Sequence, residues 1–356
     1  MALRIGMIGC GGIARAHWRG WQALQQQGKV KIVALADPVP DSIAWFQKET
    51  DCQVGVADFN QMYDAAELDA VDICLPHHLH CGAITAAIRR KIHWMCEKPL
   101  CMTLAEADQI DAAMRNAPGL VGMSAHNQVF APAVAEARRL LDDGLLGKVY
   151  TIISQDCFIL GMAPLGSLPG TVVPSPIKPG SWRASRSTMG GGELIDTGYH
   201  PSYRLLFLAG GEPVTVTAVL GKYRQAQLEG EDTATVLTRF ADGVTGLVRT
   251  SWAMELPYGH YQIHVIGERG QLFGTGSDLY FKPSRAKEPS HYALPQVDTF
   301  AAEVAHFVEC IEQGRPPIQS YKDGIAVLRM IRRAYESAGA EAAGQAVTAA
   351  QPAAKA

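Results

Sequence analysis

The chain has 356 residues, 47% hydrophobic and 19% charged, with a net charge of −3. That is too long for one ordinary core and fits two, and neither sign of charge is in the excess that a nucleic-acid or anionic-membrane partner calls for. No apolar run reaches the roughly 20 residues that span a bilayer, no secretory leader pattern opens the chain, and its eight cysteines include no CxxC pair, so a soluble cytoplasmic protein with reduced thiols is expected.

Short apolar runs at Leu3–Ile8, Lys31–Ala36, Ala70–Leu75, His93–Cys96 and Leu120–Ser124 alternate with helical patterns at Ile13–Gln27, Ser42–Glu49, Cys81–Arg90 and Leu104–Arg115. Strand then helix, repeated, predicts an α/β domain over residues 1–124 with a doubly wound parallel sheet. Thr103 is placed to cap the last of these helices, with Glu106 three residues on to complete a capping box.

After a helical pattern at Ala131–Asp142 the texture becomes β-rich, with runs at Tyr150–Cys157, Val214–Tyr223, Thr233–Phe240, Thr245–Ala253, Tyr261–Gly267 and Gly270–Gly274. Turn sequences such as Ala241-Asp242-Gly243 and Glu268-Arg269-Gly270 join neighbours as hairpins, which predicts an antiparallel sheet. Gly161–Gly180, crowded with Pro and Gly, reads as a long loop of the functional kind. Helices at Phe300–Glu312 and Gly324–Ser337 close a second, α+β domain over residues 125–338, and the Ala-rich tail 339–356 carries too few large apolar groups to pack.

Gly9-Cys10-Gly11-Gly12-Ile13-Ala14 follows the first predicted strand at once and opens a helix, the context that a dinucleotide-binding turn requires. Gly9 permits the tight turn, Gly11 lets the backbone approach a pyrophosphate, Gly12 and Ile13 start the helix whose N-terminus receives it, and Ala14 lets that helix pack close to the strand. Asp37 ends the second strand, about where an acid would take the adenosine ribose hydroxyls. Its charge repels a 2′-phosphate and Pro38 supplies no compensating base, so NAD is expected in preference to NADP.

Glu97-Lys98-Pro99 stands at the C-terminal end of a parallel strand, the side on which such sheets bind ligands. Pro99 biases Lys98 toward an extended backbone, which fixes the direction of the lysine near the nicotinamide half of the cleft. Further on, Gly190 to His200 runs into an apolar helical pattern. Asp196 and His200 are four apart, a spacing that predicts one helical face. Oxidising an alcohol requires a base for the hydroxyl proton. His200 is the candidate base, with Asp196 positioning and Lys98 polarising the same oxygen or relaying its proton.

With Ile8-Gly9-Cys10-Gly11-Gly12-Ile13-Ala14, Pro76 with His80 four residues on, Glu97-Lys98-Pro99-Leu100, Trp182-Arg183 and Gly190 to His200, the chain resembles the family of glucose–fructose oxidoreductase, inositol dehydrogenase and MocA from Leu3 to about Gly339. The resemblance implies a substrate domain built on a large open sheet and a catalytic trio of Lys98, Asp196 and His200. It also implies that Pro76, Glu97 and Lys98 join the cofactor cleft, with His80 either lining that cleft or holding its own loop, and that His126, Asn127, Trp182, Arg183 and Tyr199 join the trio around substrate. Val129 departs from the Arg that many relatives carry there, so the substrate cannot be copied from the best-known members.

Trp252, Tyr258, His260 and Tyr261 are further candidates for contact with a polyhydroxylated ring. His77, His78 and His80 are close together but lack a Cys, Asp or Glu at a metal-ligand spacing, so no metal is expected. The leading expectation is an NAD-dependent dehydrogenase acting on a secondary hydroxyl of a sugar, sugar acid or inositol, assembled as a homodimer or homotetramer. The alternatives are a glycoside-cleaving enzyme that retains NAD and oxidises transiently, and a non-catalytic dinucleotide-binding regulator.

Overall fold

Strand β1 (Leu3–Ile8) is buried from Ile5 to its end, and the glycine turn behind it leads into helix α1 (Gly12–Gln26). The order then runs β2 (Val30–Ala36), α2 (Pro40–Thr50), β3 (Gly55–Val56), α3 (Phe59–Ala65), β4 (Ala70–Ile73), α4 (His80–Arg89), β5 (His93–Glu97), α5 (Leu104–Arg115) and β6 (Gly122–Ala125). The six strands pair in parallel in the order β3-β2-β1-β4-β5-β6. β4 and β6 are buried at every residue, as expected of parallel strands covered by helices on both faces. Strand order reverses between β1 and β4, and the crevice outside the carboxyl ends of these strands is where such sheets take ligands. Thr103 and Glu106 do form a capping box at α5. This computed structural model describes residues 2–162, 176–256 and 258–339.

Helix α6 (Pro132–Asp142) leads into β7 (Val149–Cys157), followed by the short helices α7 (Arg186–Met189) and α8 (Glu193–Asp196) and by α9 (Tyr199–Ala209). Strands β8 (Thr215–Gly221), β9 (Thr233–Arg239), β10 (Thr245–Ser251), β11 (Ile263–Gly267), β12 (Gly270–Thr275), β13 (Asp278–Pro283) and β14 (Ser290–Ala293) precede α10 (Thr299–Gln313) and α11 (Tyr321–Ser337). Eight strands form a second sheet in the order β14-β13-β12-β11-β7-β10-β9-β8, with β7 and β10 parallel and every other pair antiparallel. Alternation sorts its faces. Val236 is buried under the helices, whereas Leu237 on the other face is 55% exposed.

The structure corrects three expectations. The second sheet has eight strands rather than six, because Asp278–Pro283 and Ser290–Ala293 also pair. Asp196 and His200 do not share one continuous helix, since α8 ends at Asp196 and α9 begins at Tyr199. Chain order also misplaces α10, which returns to the first sheet and packs on α1, where Gly20 lies against Ala301 and Val304. The long loop expected at 161–180 lies for the most part outside the described residues, at 163–175, as does the tail from 340 on. Among the described residues no helix is long and apolar enough to cross a membrane.

Candidate active site

A cavity of about 970 Å³ lies at the switch point of the first sheet and extends to the second. Residues at the carboxyl ends of four parallel strands line one half of it: Gly9, Gly11, Gly12 and Ile13 after β1, Asp37 and Pro38 after β2, Cys74 to Pro76 after β4, and Glu97 and Lys98 at β5. Gly9 has φ +87°, and a Cβ there would lie 2.3 Å from the carbonyl oxygen of Cys74, so the turn admits no side chain. A Cβ at Gly11 or Gly12 would meet nothing within 4 Å. Gly11 caps α1 without a side-chain acceptor, so the first N–H groups of α1 have no cap and lie beside open space that fits a pyrophosphate. Asp37 is held by the N–H groups of Cys10 (2.7 Å) and Val39 (2.8 Å). These residues fit a dinucleotide, with the glycines at its phosphates and Asp37 at a ribose.

The other half gathers charge. Lys98 Nζ donates to Asp196 Oδ1 at 2.7 Å and to the Asp196 carbonyl at 2.9 Å. Arg183 Nε donates to Asp196 Oδ2 at 2.8 Å, and its guanidinium lies 4.4 Å from the centre of the Trp182 ring. Burial would raise the Asp196 carboxyl, but Lys98 and Arg183 outweigh it and hold the group well below the usual carboxylate range. Asp196 reaches this position because Gly192 lets the chain cross Glu231, whose carbonyl would sit 2.3 Å from a Cβ there. Half-buried His200 lines the cavity, and its Nδ1 lies 3.2 Å from His126 Nε2. Its Nε2 has no protein partner among the described residues. Burial, then Lys98 and His126, push the His200 imidazole well below its ordinary pKa.

A polar wall completes the cavity. Asp156 at the end of β7 takes Arg204 Nη1 (3.0 Å) and Gln262 Nε2 (3.0 Å), and Arg204, itself buried, also binds Gln128 and the Gln155 carbonyl. Asp156, Gln128 and Gln262 face the cavity alongside Trp252 and Phe158.

Residues 3–139 match the family described as an oxidoreductase family with an NAD-binding Rossmann fold, and residues 134–273 match the Gfo/Idh/MocA C-terminal domain. The chain belongs to the Gfo/Idh/MocA oxidoreductase family. Among curated relatives, an inositol 2-dehydrogenase from Rhizobium meliloti is 28% identical over 361 residues, covering 95% of this chain and 97% of that one. The rhizopine catabolism protein MocA from Rhizobium meliloti is 27% identical over 344 residues, covering 94% of each chain. Among solved structures, an aldose-aldose oxidoreductase from Caulobacter crescentus superposes with a TM-score of 0.80 at 26% identity, covering 95% of this chain and 98% of that one.

In this family member the expected site residues divide by position. Gly9, Gly11, Gly12, Ile13, Asp37, Pro76, Glu97, Lys98, Trp182, Arg183, Asp196, His200 and Trp252 all line the cavity. Ala14 does not; it is buried in the core beneath α1. His80 does not face the cofactor cleft either. It is fully buried, its ring nitrogens 2.7 Å from the carbonyl oxygens of Pro99 and Leu75, so it braces the turn that carries Lys98. Tyr199 is buried with its hydroxyl donating to the Gly324 carbonyl (2.8 Å), and Asn127 donates to Thr299 Oγ1 (2.8 Å), so both tie elements together away from the cavity. His126 sits behind His200. Tyr258 and His260 lie outside the cavity, and the Tyr261 ring packs on Phe273 at 4.9 Å.

Sequence reasoning missed several groups. His77 lines the cavity, donates Nδ1–H to the Met189 carbonyl (2.8 Å) and meets Trp182 edge-on at 4.6 Å; burial lowers it to about 3, with Asp196 opposing. Beneath Glu97, buried His17 links Asp72 (2.9 Å) to Glu97 Oε1 (3.1 Å), and the Trp21 indole N–H also reaches Asp72 (2.7 Å). Burial opposes a charge on His17, but Asp72 and Cys74 outweigh it and raise its pKa well above the ordinary value. The signal that could have found His17 was its place one turn beyond the glycine turn, on the face of α1 toward β4.

Proposed function

We propose that the chain is an NAD-dependent dehydrogenase that oxidises a secondary hydroxyl of a sugar, sugar acid or inositol. The observation that carries this reading is the convergence of Lys98, Asp196 and His200 on one cavity whose other half is a dinucleotide cradle. A nicotinamide dinucleotide bound there supplies the hydride acceptor. His200 Nε2 takes the hydroxyl proton, Lys98 donates a hydrogen bond to the same oxygen, and Asp196 holds Lys98 and Arg183 in place. The polar wall of Asp156, Gln128 and Gln262 suits the remaining hydroxyls, and Trp182 offers an apolar ring face. The name of the Rhizobium meliloti relative, inositol 2-dehydrogenase, supports a polyol. A screen of inositols, sugars, sugar acids and glycosides with NAD tests the reading. Reduced dinucleotide formed with a polyol supports it; silence across the whole panel contradicts it and favours a regulator.

Asp37 leads to a preference for NAD. A 2′-phosphate brought against this carboxylate meets repulsion, and the expected ratio of kcat/KM is about tenfold or more in favour of NAD, equivalent to roughly 1.4 kcal/mol or more. Asp37→Ala narrows the ratio. Equal efficiency with NADP in the native enzyme contradicts the assignment.

The pH dependence follows from the charges around His200. The base works when unprotonated, and burial first, then Lys98, His126 and Arg204, disfavour its cation while Asp196 opposes them only in part. Protonation, and with it loss of rate, therefore occurs below the ordinary value of 6.5. The expected kcat/KM for oxidation is level from about pH 8 down to about pH 6.5 and falls only under more acid conditions. A fall centred above about pH 7 contradicts a base in this environment.

The open face of the second sheet supports self-association. Leu237 of β9 pairs with Leu247 of β10, which stands beside Ile153 of β7, while Leu237 and Val219 are 55% and 73% exposed. Such a row is suited to cover by a second copy. Light scattering is expected to report a dimer or tetramer at micromolar concentration, and Leu237→Arg to weaken it; a native monomer contradicts this.

A further inference from the structure

We propose that His126 is a positioning residue that sets the tautomer of His200, and so decides which ring nitrogen of His200 receives the substrate's hydroxyl proton. The inference rests on the reading of His200 as the base and adds to it a residue that touches neither substrate nor cofactor.

His126 follows β6 directly, at the junction between the two sheets, and its side chain is fully buried. Its ring stacks on Tyr203 with centroids 4.1 Å apart and planes 9° from parallel, and Tyr199 lies 6.4 Å away. Tyr199, His200 and Tyr203 all belong to α9, so one helix both clamps the His126 ring and presents the base to it. The clamp aims His126 Nε2 at His200 Nδ1, 3.2 Å away. His126 Nδ1 is buried and has no hydrogen-bond partner among the described residues, so the contact with His200 is the only one its ring nitrogens make there.

Two neutral imidazoles in contact share one proton. If His126 Nε2 carries it, His200 Nδ1 accepts, His200 must carry its own proton on Nε2, and the nitrogen facing the cavity cannot act as a base. If His200 Nδ1 carries it, His126 Nε2 accepts, His126 keeps its own proton on the buried Nδ1, and the lone pair of His200 Nε2 faces the cavity. Only the second arrangement is competent for oxidation. In the reaction the substrate O–H bond breaks, its proton forms a new Nε2–H bond on His200, and the electron pair of the carbinol C–H bond leaves as hydride to the nicotinamide. The imidazolium keeps its Nδ1–H bond to His126 throughout. Burial, Arg204 and Lys98 disfavour a cation on the His126 ring, whereas on His200 the same influences are offset in part by Asp196, so the cation belongs on His200. A neutral orienter differs from the carboxylate of a serine-protease triad in one respect. It fixes the tautomer without a negative charge that would hold the proton on the base.

The test uses the NAD-bound enzyme with nitrogen-labelled histidines and two variants. His126→Phe keeps a flat ring against Tyr203 but removes the acceptor, and His126→Gln restores one. Imidazole nitrogen NMR of the native enzyme is expected to show His200 protonated on Nδ1, and His126→Phe to move the proton toward Nε2. With the best polyol, His126→Phe is expected to lower kcat by about ten- to hundredfold, the range for lost orienting partners, at unchanged KM for NAD, with His126→Gln recovering most of it. A native His200 protonated on Nε2 overturns the proposal without any turnover measurement, so this readout stands even where His126→Phe fails to fold. A folded His126→Phe enzyme within about threefold of native kcat overturns it as well. If no polyol reduces NAD, the dehydrogenase reading fails instead, and the tautomer result still reports on the pair.

Discussion

His200→Ala and Lys98→Ala each lower turnover by about two to four orders of magnitude, the usual cost of losing a positioned acid–base group, while NAD continues to bind. The separation follows from the two halves of the cavity. On the proposed reading the glycine turn, the N-terminus of α1 and Asp37 would hold the dinucleotide; none of them touches His200, and the Lys98 ammonium is tied to Asp196 rather than to them. In Lys98→Ala the buried Asp196 retains Arg183 at 2.8 Å, so its charge is not stranded and the fold survives. Asp196→Asn is damaging in a different way, because it leaves Lys98 and Arg183 without the anion that holds them. Fluorescence titration with NAD, run beside turnover, checks all three. If both alanine variants keep more than about a tenth of native turnover, the roles are misassigned. Loss of NAD binding together with activity assigns these residues to structure instead.

Gly9→Ala and Gly11→Ala separate the two tasks of the glycine turn. At Gly9 the new methyl meets the Cys74 carbonyl at 2.3 Å in a backbone region, φ +87°, that costs an L residue roughly 1–2 kcal/mol before any clash. Overpacking adds roughly 1–3 kcal/mol, so the protein without cofactor melts lower and binds NAD poorly. At Gly11 the backbone is ordinary, φ −79° and ψ −162°, and the methyl meets no protein atom within 4 Å. The protein without cofactor should lose no more than about 1 kcal/mol, the cost of a poorer helix cap. NAD affinity should still fall at least about tenfold, because the methyl occupies the space through which the backbone reaches the pyrophosphate. Thermal melts with and without NAD distinguish them. Equal stability of the two variants without cofactor, or native NAD affinity in Gly11→Ala, contradicts the cradle.

What the sequence made legible is what local chemistry determines. The turn Gly9 to Ala14, the acid Asp37 and the strand-end Glu97-Lys98-Pro99 announce themselves because a strand, a turn and a helix occur in immediate succession there. Five of the six strands of the first sheet follow from the same regularity, whereas β3, only two residues long, carries no pattern of its own. Groups assembled by non-local pairing were invisible. Asp156, Gln262 and Arg204 meet only because β7 lies between β10 and β11, an arrangement no hairpin rule supplies. Strand β13 escaped because Leu279-Tyr280-Phe281 is a continuous apolar run closed by Lys282-Pro283, without the period-two signal. The spacing of Asp196 and His200 was misleading for a physical reason. Thr197 and Gly198 interrupt the helix, where a side chain on Gly198 would lie 2.7 Å from the backbone of Leu194. The break turns Asp196 toward Lys98 and His200 toward His126, so the two contribute to one cavity without touching. His80, Tyr199 and Asn127 carry polar groups suited to ligands, yet burial commits each of them to holding elements in place.

The most direct test follows the hydrogen itself. A polyol from the screen, deuterated at the carbinol carbon that is oxidised, is incubated with enzyme and NAD, and the deuterium is located by mass spectrometry. Deuterium in the reduced nicotinamide, one for each ketone formed, is the expected result for net hydride transfer with His200 as base. Deuterium retained in a sugar product with no reduced dinucleotide accumulating, or lost to water, contradicts it and points to transient oxidation during bond cleavage.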